Sequence, residues 1–213
     1  MKAAAALLLL AAPALAQTER SERLTERARQ DREIVYFLQA PETHAFDLYH
    51  DFTETKEGAD RYVNVVREGS RVSNPRAIAL DTGETLAVET LKGDAITKAG
   101  IETGGPVRPD SEAVVVRFPK VEKGRSLRVR ILETYTDPGR YRLEGGELVF
   151  DRGLGRPRNA IVLPAGYSLT NCSVPAMVSE TEDGRVRLDF VNPRNDEIAV
   201  LLTARLRPRP AAR

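Results

Sequence analysis

His44-Ala45-Phe46-Asp47-Leu48-Tyr49-His50-Asp51-Phe52-Thr53 is the stretch that decides the fold. His44, Phe46, Leu48, His50 and Phe52 form one alternating set, and Ala45, Asp47, Tyr49, Asp51 and Thr53 form the other. A strand points successive side chains to opposite faces, so this period of two predicts a β-strand with one apolar face. The short β-branched and aromatic run Ile34 to Leu38 just before it predicts a second strand.

The same pattern recurs downstream. Leu127, Val129 and Ile131 oppose Arg128 and Arg130, while Val186, Leu188 and Phe190 oppose Arg185, Arg187 and Asp189. Ile198, Val200, Leu202, Ala204 and Leu206 carry the period to Arg207. Charges on one face and apolar groups on the other are the mark of antiparallel sheets with one solvated side. Asp81-Thr82-Gly83-Glu84, Asp137-Pro138-Gly139, Gly145-Gly146 and Asp183-Gly184 place turn-forming residues between the runs at hairpin spacing. Since no long amphipathic helix is available as a crossover, a parallel α/β sheet is not expected. The fold class read from the sequence is therefore all-β: an antiparallel, immunoglobulin-like β-sandwich, built as one sandwich or as two lobes.

Around this body the chain divides by composition. Met1-Lys2, the Ala- and Leu-rich run Ala3 to Ala12, and Pro13-Ala14-Leu15-Ala16 follow the order of a cleavable signal peptide, 1–16. The run is shorter than the roughly 20 residues that span a bilayer, so no transmembrane segment is expected after cleavage. Residues 17–32 alternate Glu and Arg with few apolar positions and read as a charged linker or short helix. The Gly- and Pro-containing stretch 100–110 suggests a division into an N-terminal β lobe, 33–105, and a C-terminal sandwich lobe, 106–208. Residues 209–213 read as a disordered tail. The expected location is periplasmic or secreted.

Charge and cysteine usage exclude several classes. The chain has 32 basic and 31 acidic side chains, and loss of Lys2 with the leader makes the two signs equal. Nucleic-acid binders draw their affinity from a basic excess, so no nucleic-acid partner is expected. Cys172 is the only cysteine, which excludes an intrachain disulfide.

No residue set carries catalysis, a cofactor or a metal on spacing alone, and the expected site inventory is none for each. His44, Asp47, His50 and Asp51 are close in sequence. On one regular strand, though, the two histidines would stand roughly 20 Å apart, too far for one zinc, and they read as edge or surface histidines. Cys172, in Thr170-Asn171-Cys172-Ser173, has no neighbouring base and reads as a half-buried thiol. Asn171-Cys172-Ser173 also fits a glycosylation acceptor. Gly153-Leu154-Gly155-Arg156-Pro157 lacks the spacing of a dinucleotide or phosphate loop. Arg152, Arg156 and Arg158 around it read as loop-solvating charges, with an anion site as the alternative.

Val65-Val66-Arg67-Glu68-Gly69, Asp81-Thr82-Gly83-Glu84-Thr85-Leu86, Phe118-Pro119-Lys120-Val121-Glu122-Lys123-Gly124 before Leu127-Arg128-Val129-Arg130-Ile131, and Leu163-Pro164-Ala165-Gly166-Tyr167 together resemble a known domain type. It is the β-sandwich that precedes transglutaminase-like domains in bacterial exported proteins, and the likeness runs from about Glu33 to Arg207. The resemblance implies a non-catalytic accessory fold. No catalytic residue carries over, and an accessory role beside an enzyme would be played in trans. The expected function is thus a non-enzymatic, exported binding or structural protein of the bacterial envelope, with another envelope protein as partner. A small secreted hydrolase with an active site dispersed over loops is the alternative. A carbohydrate-stacking role is disfavoured, because Trp is absent and only six Tyr and six Phe are available.

Overall fold

The computed structural model describes residues 31–194 and 196–208. The expected leader 1–16, the segment 17–30 and the tail 209–213 lie outside the described residues.

The protein is all-β: the described residues form fourteen strands in two sheets, with one short α-helix and one 3-10 turn. The strands are β1 (Arg32–Leu38), β2 (Ala45–Glu54), β3 (Arg61–Val65), β4 (Arg71–Ala79), β5 (Thr85–Lys92), β6 (Glu112–Arg117) and β7 (Leu127–Thr136), then β8 (Tyr141–Glu144), β9 (Glu147–Leu154), β10 (Arg158–Val162), β11 (Tyr167–Cys172), β12 (Met177–Glu180), β13 (Val186–Val191) and β14 (Ile198–Leu206). The helix α1 (Asp94–Lys98) lies between β5 and β6. The larger sheet has the order β12-β13-β10-β1-β2-β7-β4-β5-β6-β3, and the smaller one the order β11-β14-β9-β8. No helix among the described residues is long and apolar enough to cross a membrane.

The alternation read from the sequence is realised in the burial. In β2, Phe46, Leu48 and Phe52 are buried in the core while Asp47 is exposed. In β7, Val129 and Ile131 are buried, and Arg130 turns outward to hold Asp51 through two hydrogen bonds of 2.7 Å. Three of the predicted turns close hairpins, β4–β5, β8–β9 and β12–β13, whereas Asp137-Pro138-Gly139 carries the chain from β7 in the large sheet to β8 in the small one. Gly145 and Gly146, both at positive φ (58° and 82°), join β8 to β9, a backbone that glycine adopts without steric cost.

One pairing departs from the antiparallel expectation. β1 and β10 run parallel, with Glu33 opposite Arg158 and Phe37 opposite Val162. Parallel neighbours need a long connection, and here it is the whole of β2 to β9 rather than a crossover helix. Strands from both sides of Gly105 share the larger sheet: β6 pairs with β3 and β5, and β7 with β2 and β4. A lobe boundary at 105/106 would cut those ladders.

The main core lies between the sheets, where Tyr36, Phe46 and Tyr135 of the large sheet meet Leu148, Phe150 and Leu202 of the small one. Phe46 stands edge-on to Phe150, with ring centroids 5.6 Å apart, and stacks on Tyr135 at 5.8 Å. A second cluster, Phe52, Ala77, Val116, Val129 and Ile131, fills the other end.

Candidate functional site: a polar cavity between the sheets

The apolar face of β1, β2 and β7 is interrupted by polar side chains at two positions. Register places His50 opposite Ile131 and Leu48 opposite Glu133, so His50 and Glu133 are diagonal neighbours on one face. Both are buried, at 5% and 4% exposure. β3, the last strand of the large sheet, returns across this face: Asn64 Nδ2 donates to both Glu133 carboxylate oxygens at 2.9 and 3.1 Å and to Tyr135 Oη at 2.9 Å. Tyr62, two residues back on β3, stands edge-on to His50 with ring centroids 5.5 Å apart. From the small sheet, Arg152 and Gly153 of β9 close the third side, followed by Gly155 and Arg156. Together these groups line a half-open cavity of about 360 Å³.

The two glycines have a steric role here. A Cβ at Gly153 would run into the Glu197 carboxylate, and one at Gly155 would lie 3.3 Å from Glu197 Cγ and Oε1. Glycine thus lets Glu197 fold over β9 at the mouth, where it pairs with Arg67 at 3.5 Å.

The electrostatics of the walls are unusual. Burial raises the Glu133 carboxyl to about 7, and the Asn64 hydrogen bonds offset this only in part. Burial holds the His50 imidazole well below its ordinary value, and Arg156 and Arg32 push it further the same way. At neutral pH His50 is therefore uncharged, and its Nε2 is buried with no hydrogen-bond partner among the described residues. Burial raises the Tyr62 phenol, which also feels Arg156 and Glu133 with opposite signs. Arg156 donates to Tyr62 Oη at 3.4 Å and has no carboxylate partner among the described residues; Glu133 likewise has no cation partner among them. Arg152 is different. It pairs with buried Asp137 at 3.4 Å, and its guanidinium lies 5.1 to 5.7 Å from the ring centres of Phe46, Tyr36 and Tyr135.

The residues singled out in the sequence are dispersed by the fold. His44 is not on the strand: it ends the 3-10 turn Pro41–Thr43 with φ 53°, and its Nδ1 donates to the Tyr141 carbonyl at 2.9 Å. His50 is not an edge or surface residue but part of the cavity wall. Asp47 accepts from Thr134 Oγ1 at 2.6 Å and Asp51 holds Arg130, so the four candidate ligands do not converge. Cys172 is half-buried, as expected, and donates to the Val174 carbonyl at 3.2 Å. The three arginines do not act as a loop cluster: Arg152 is buried on β9, Arg156 lines the cavity and Arg158 pairs with Asp31. Sequence reading missed Glu133, Tyr62 and Asn64. The signal for Glu133 was available, since it shares a face with Val129, Ile131 and Tyr135 and breaks an otherwise apolar alternation.

No protein-family model matches the chain, and no curated protein matches it. Among solved structures, an aminopeptidase N family protein from Idiomarina loihiensis is similar over 81% of this chain and 29% of its own, at 11% identity and TM-score 0.46. An M1 zinc metallopeptidase from Deinococcus radiodurans is similar over 81% of this chain and 40% of its own, at 15% identity and TM-score 0.46. A candidate nutrient binding protein from Legionella pneumophila is similar over 83% of this chain and 65% of its own, at 7% identity and TM-score 0.42. The chain spans less than two thirds of each, and likenesses at this level identify no family.

Proposed function

We propose that the chain is an exported, non-catalytic β-sandwich protein of the bacterial envelope that binds a small polar ligand in the cavity between β2, β3, β7 and β9. The observation that carries the binding reading is a cavity whose walls hold a buried carboxyl without a cation and a buried imidazole nitrogen without a partner among the described residues. Buried polar groups left uncompensated cost free energy, and a bound ligand that meets them recovers it. The volume is at the small end of ligand sites, which run from about 300 to 1,000 Å³. Export rests on the leader, and the envelope location on the leader with the resemblance. A partner role toward another envelope protein rests on the resemblance alone.

The hydrolase alternative is favoured by one observation: a carboxyl titrating at about 7 beside a neutral imidazole is the composition of a general acid–base pair. One experiment separates the two. The purified chain is screened by thermal shift against a collection of small polar metabolites, and each stabilising compound is then incubated with protein and analysed by mass spectrometry. The expected result is a saturable stabilisation that is lost in Asn64→Leu and leaves the compound intact. Absence of any stabilising compound overturns the binding reading, and conversion of a bound compound replaces it with the enzymatic one.

A further inference from the structure

We propose that the cavity takes a small zwitterion, with a primary ammonium seated on Glu133 and a carboxylate on Arg156. This rests on the cavity being the binding site, and it adds the class of ligand. Two complementary charges line one cavity, and neither has an ion-pair partner among the described residues. They do not pair with each other; Arg156 donates to Tyr62 Oη instead. A ligand that neutralises only one of them leaves the other uncompensated and changes the net charge of a buried site. A zwitterion meets both and changes nothing, which is the arrangement that desolvation favours.

The acceptors at the Glu133 end suit an ammonium with three N–H donors. A carboxylate offers about four lone-pair sites, and Asn64 Nδ2 shares its two N–H groups among the two Glu133 oxygens and Tyr135 Oη, so acceptor capacity remains. Tyr135 Oη and the neutral His50 ring are further acceptors in the same wall. At the other end, Arg156 spends one N–H on a long contact to Tyr62, which leaves the fork of its guanidinium for a carboxylate. The other charges lining the cavity are already matched: Arg152 by Asp137, Arg67 by Glu197 and Asp196 by Arg194.

The separation of the two ends is read with a ruler of ω-amino acids: glycine, 3-aminopropanoate, 4-aminobutanoate and 6-aminohexanoate, with butylamine and butanoate as the two half-ligands. Calorimetric titration of the chain at pH 8 is expected to show one length binding at least about tenfold more tightly than either half. Glu133→Gln should weaken that ligand by about tenfold or more and leave butanoate unchanged, and Arg156→Gln should weaken it likewise and leave butylamine unchanged. Arg156→Lys, which keeps the charge but not the fork, should bind more weakly than the parent and more tightly than Arg156→Gln, and far-UV circular dichroism establishes that each variant is folded. Because ionised Glu133 is the binding form, affinity should fall about tenfold per pH unit below about 7, with a proton released on binding. The zwitterion is overturned if no length exceeds both halves, or if either Gln variant binds the preferred length as the parent does. A ligand of another class whose binding is lost in Asn64→Leu would overturn the zwitterion and keep the cavity as the site; failure of every compound at the cavity would overturn both.

Discussion

Two residues of opposite habit face the same cavity, and their proton linkages oppose each other. The Glu133 carboxyl is raised from 4.5 to about 7 by burial, so the folded state holds a proton that the unfolded state has lost between those values. Stability therefore falls as pH rises from 4.5 to 7, by about 3 kcal/mol at most. The buried His50 imidazole is depressed below 6.5, so the unfolded state takes up a proton that the folded state refuses, and stability falls as pH drops below 6.5. Between 4.5 and 6.5 the two slopes work against each other. Glu133→Gln is expected to raise stability by about 1–3 kcal/mol at pH 8 and by nothing below pH 4.5. Urea denaturation at both pH values measures it, and a variant less stable than the parent at pH 8 would mean that Glu133 is ionised without cost. Both residues were visible in the sequence as polar interruptions of apolar alternations, His50 among Phe46, Leu48 and Phe52, and Glu133 among Val129, Ile131 and Tyr135. Their being buried follows from that alternation, whereas their being neighbours needs the register of β2 against β7, which local pattern does not contain.

Strands with one solvated face announce themselves by alternation, and for that reason β2, β7, β13 and β14 were legible. β3 was not, because Tyr62 and Asn64 face the cavity on a five-residue edge strand with no buried residue to mark it. Its contact with β7 depends on the path β7-β4-β5-β6-β3 around the sheet, a sum of pairings that no local window holds. Arg152 was misread for a related reason. An arginine beside glycines suggests a loop, but β9 continues through Gly153 to Leu154, and the guanidinium is buried among three rings. Its neutralising partner, Asp137, belongs to the turn between β7 and β8, where the Asp137 carbonyl accepts the Tyr141 N–H at 2.9 Å and its carboxylate accepts from Ser70 Oγ at 2.8 Å. That single residue ties the β7–β8 turn, β9 and the Ser70 loop together. Asp137→Asn keeps the shape but leaves a buried cation unmatched, and is expected to cost about 3 kcal/mol. The double change with Arg152→Met should recover part of that loss, because it removes the stranded charge. Chemical denaturation of the two single variants and the double checks these values, and a double-variant loss equal to the sum of the two single losses would show that the pair is not coupled.

At the scale of the whole molecule, the question raised by the Gly- and Pro-containing stretch 100–110 is whether the chain unfolds as one unit or two. The pairings favour one. β1 lies between β2 and β10, β7 lies between β2 and β4, and β6 lies between β3 and β5, so residues 33–105 alone would leave β1, β2, β3, β4 and β5 each lacking a neighbour supplied by the second half. Unpaired ladders would expose backbone donors and acceptors that are otherwise satisfied. The two apolar clusters are also continuous, since Val88 packs against both. The intact chain is accordingly expected to melt in a single transition with equal calorimetric and van't Hoff enthalpies. A fragment spanning 31–105 should show no cooperative transition and no strand-type far-UV circular dichroism. A folded fragment would mean that β4 and β5, with β3, form a core without β6 and β7, and the cavity would then lie between two separable bodies. A single transition places Glu133, Asn64 and Arg156 on one rigid frame, which a preformed binding cavity needs.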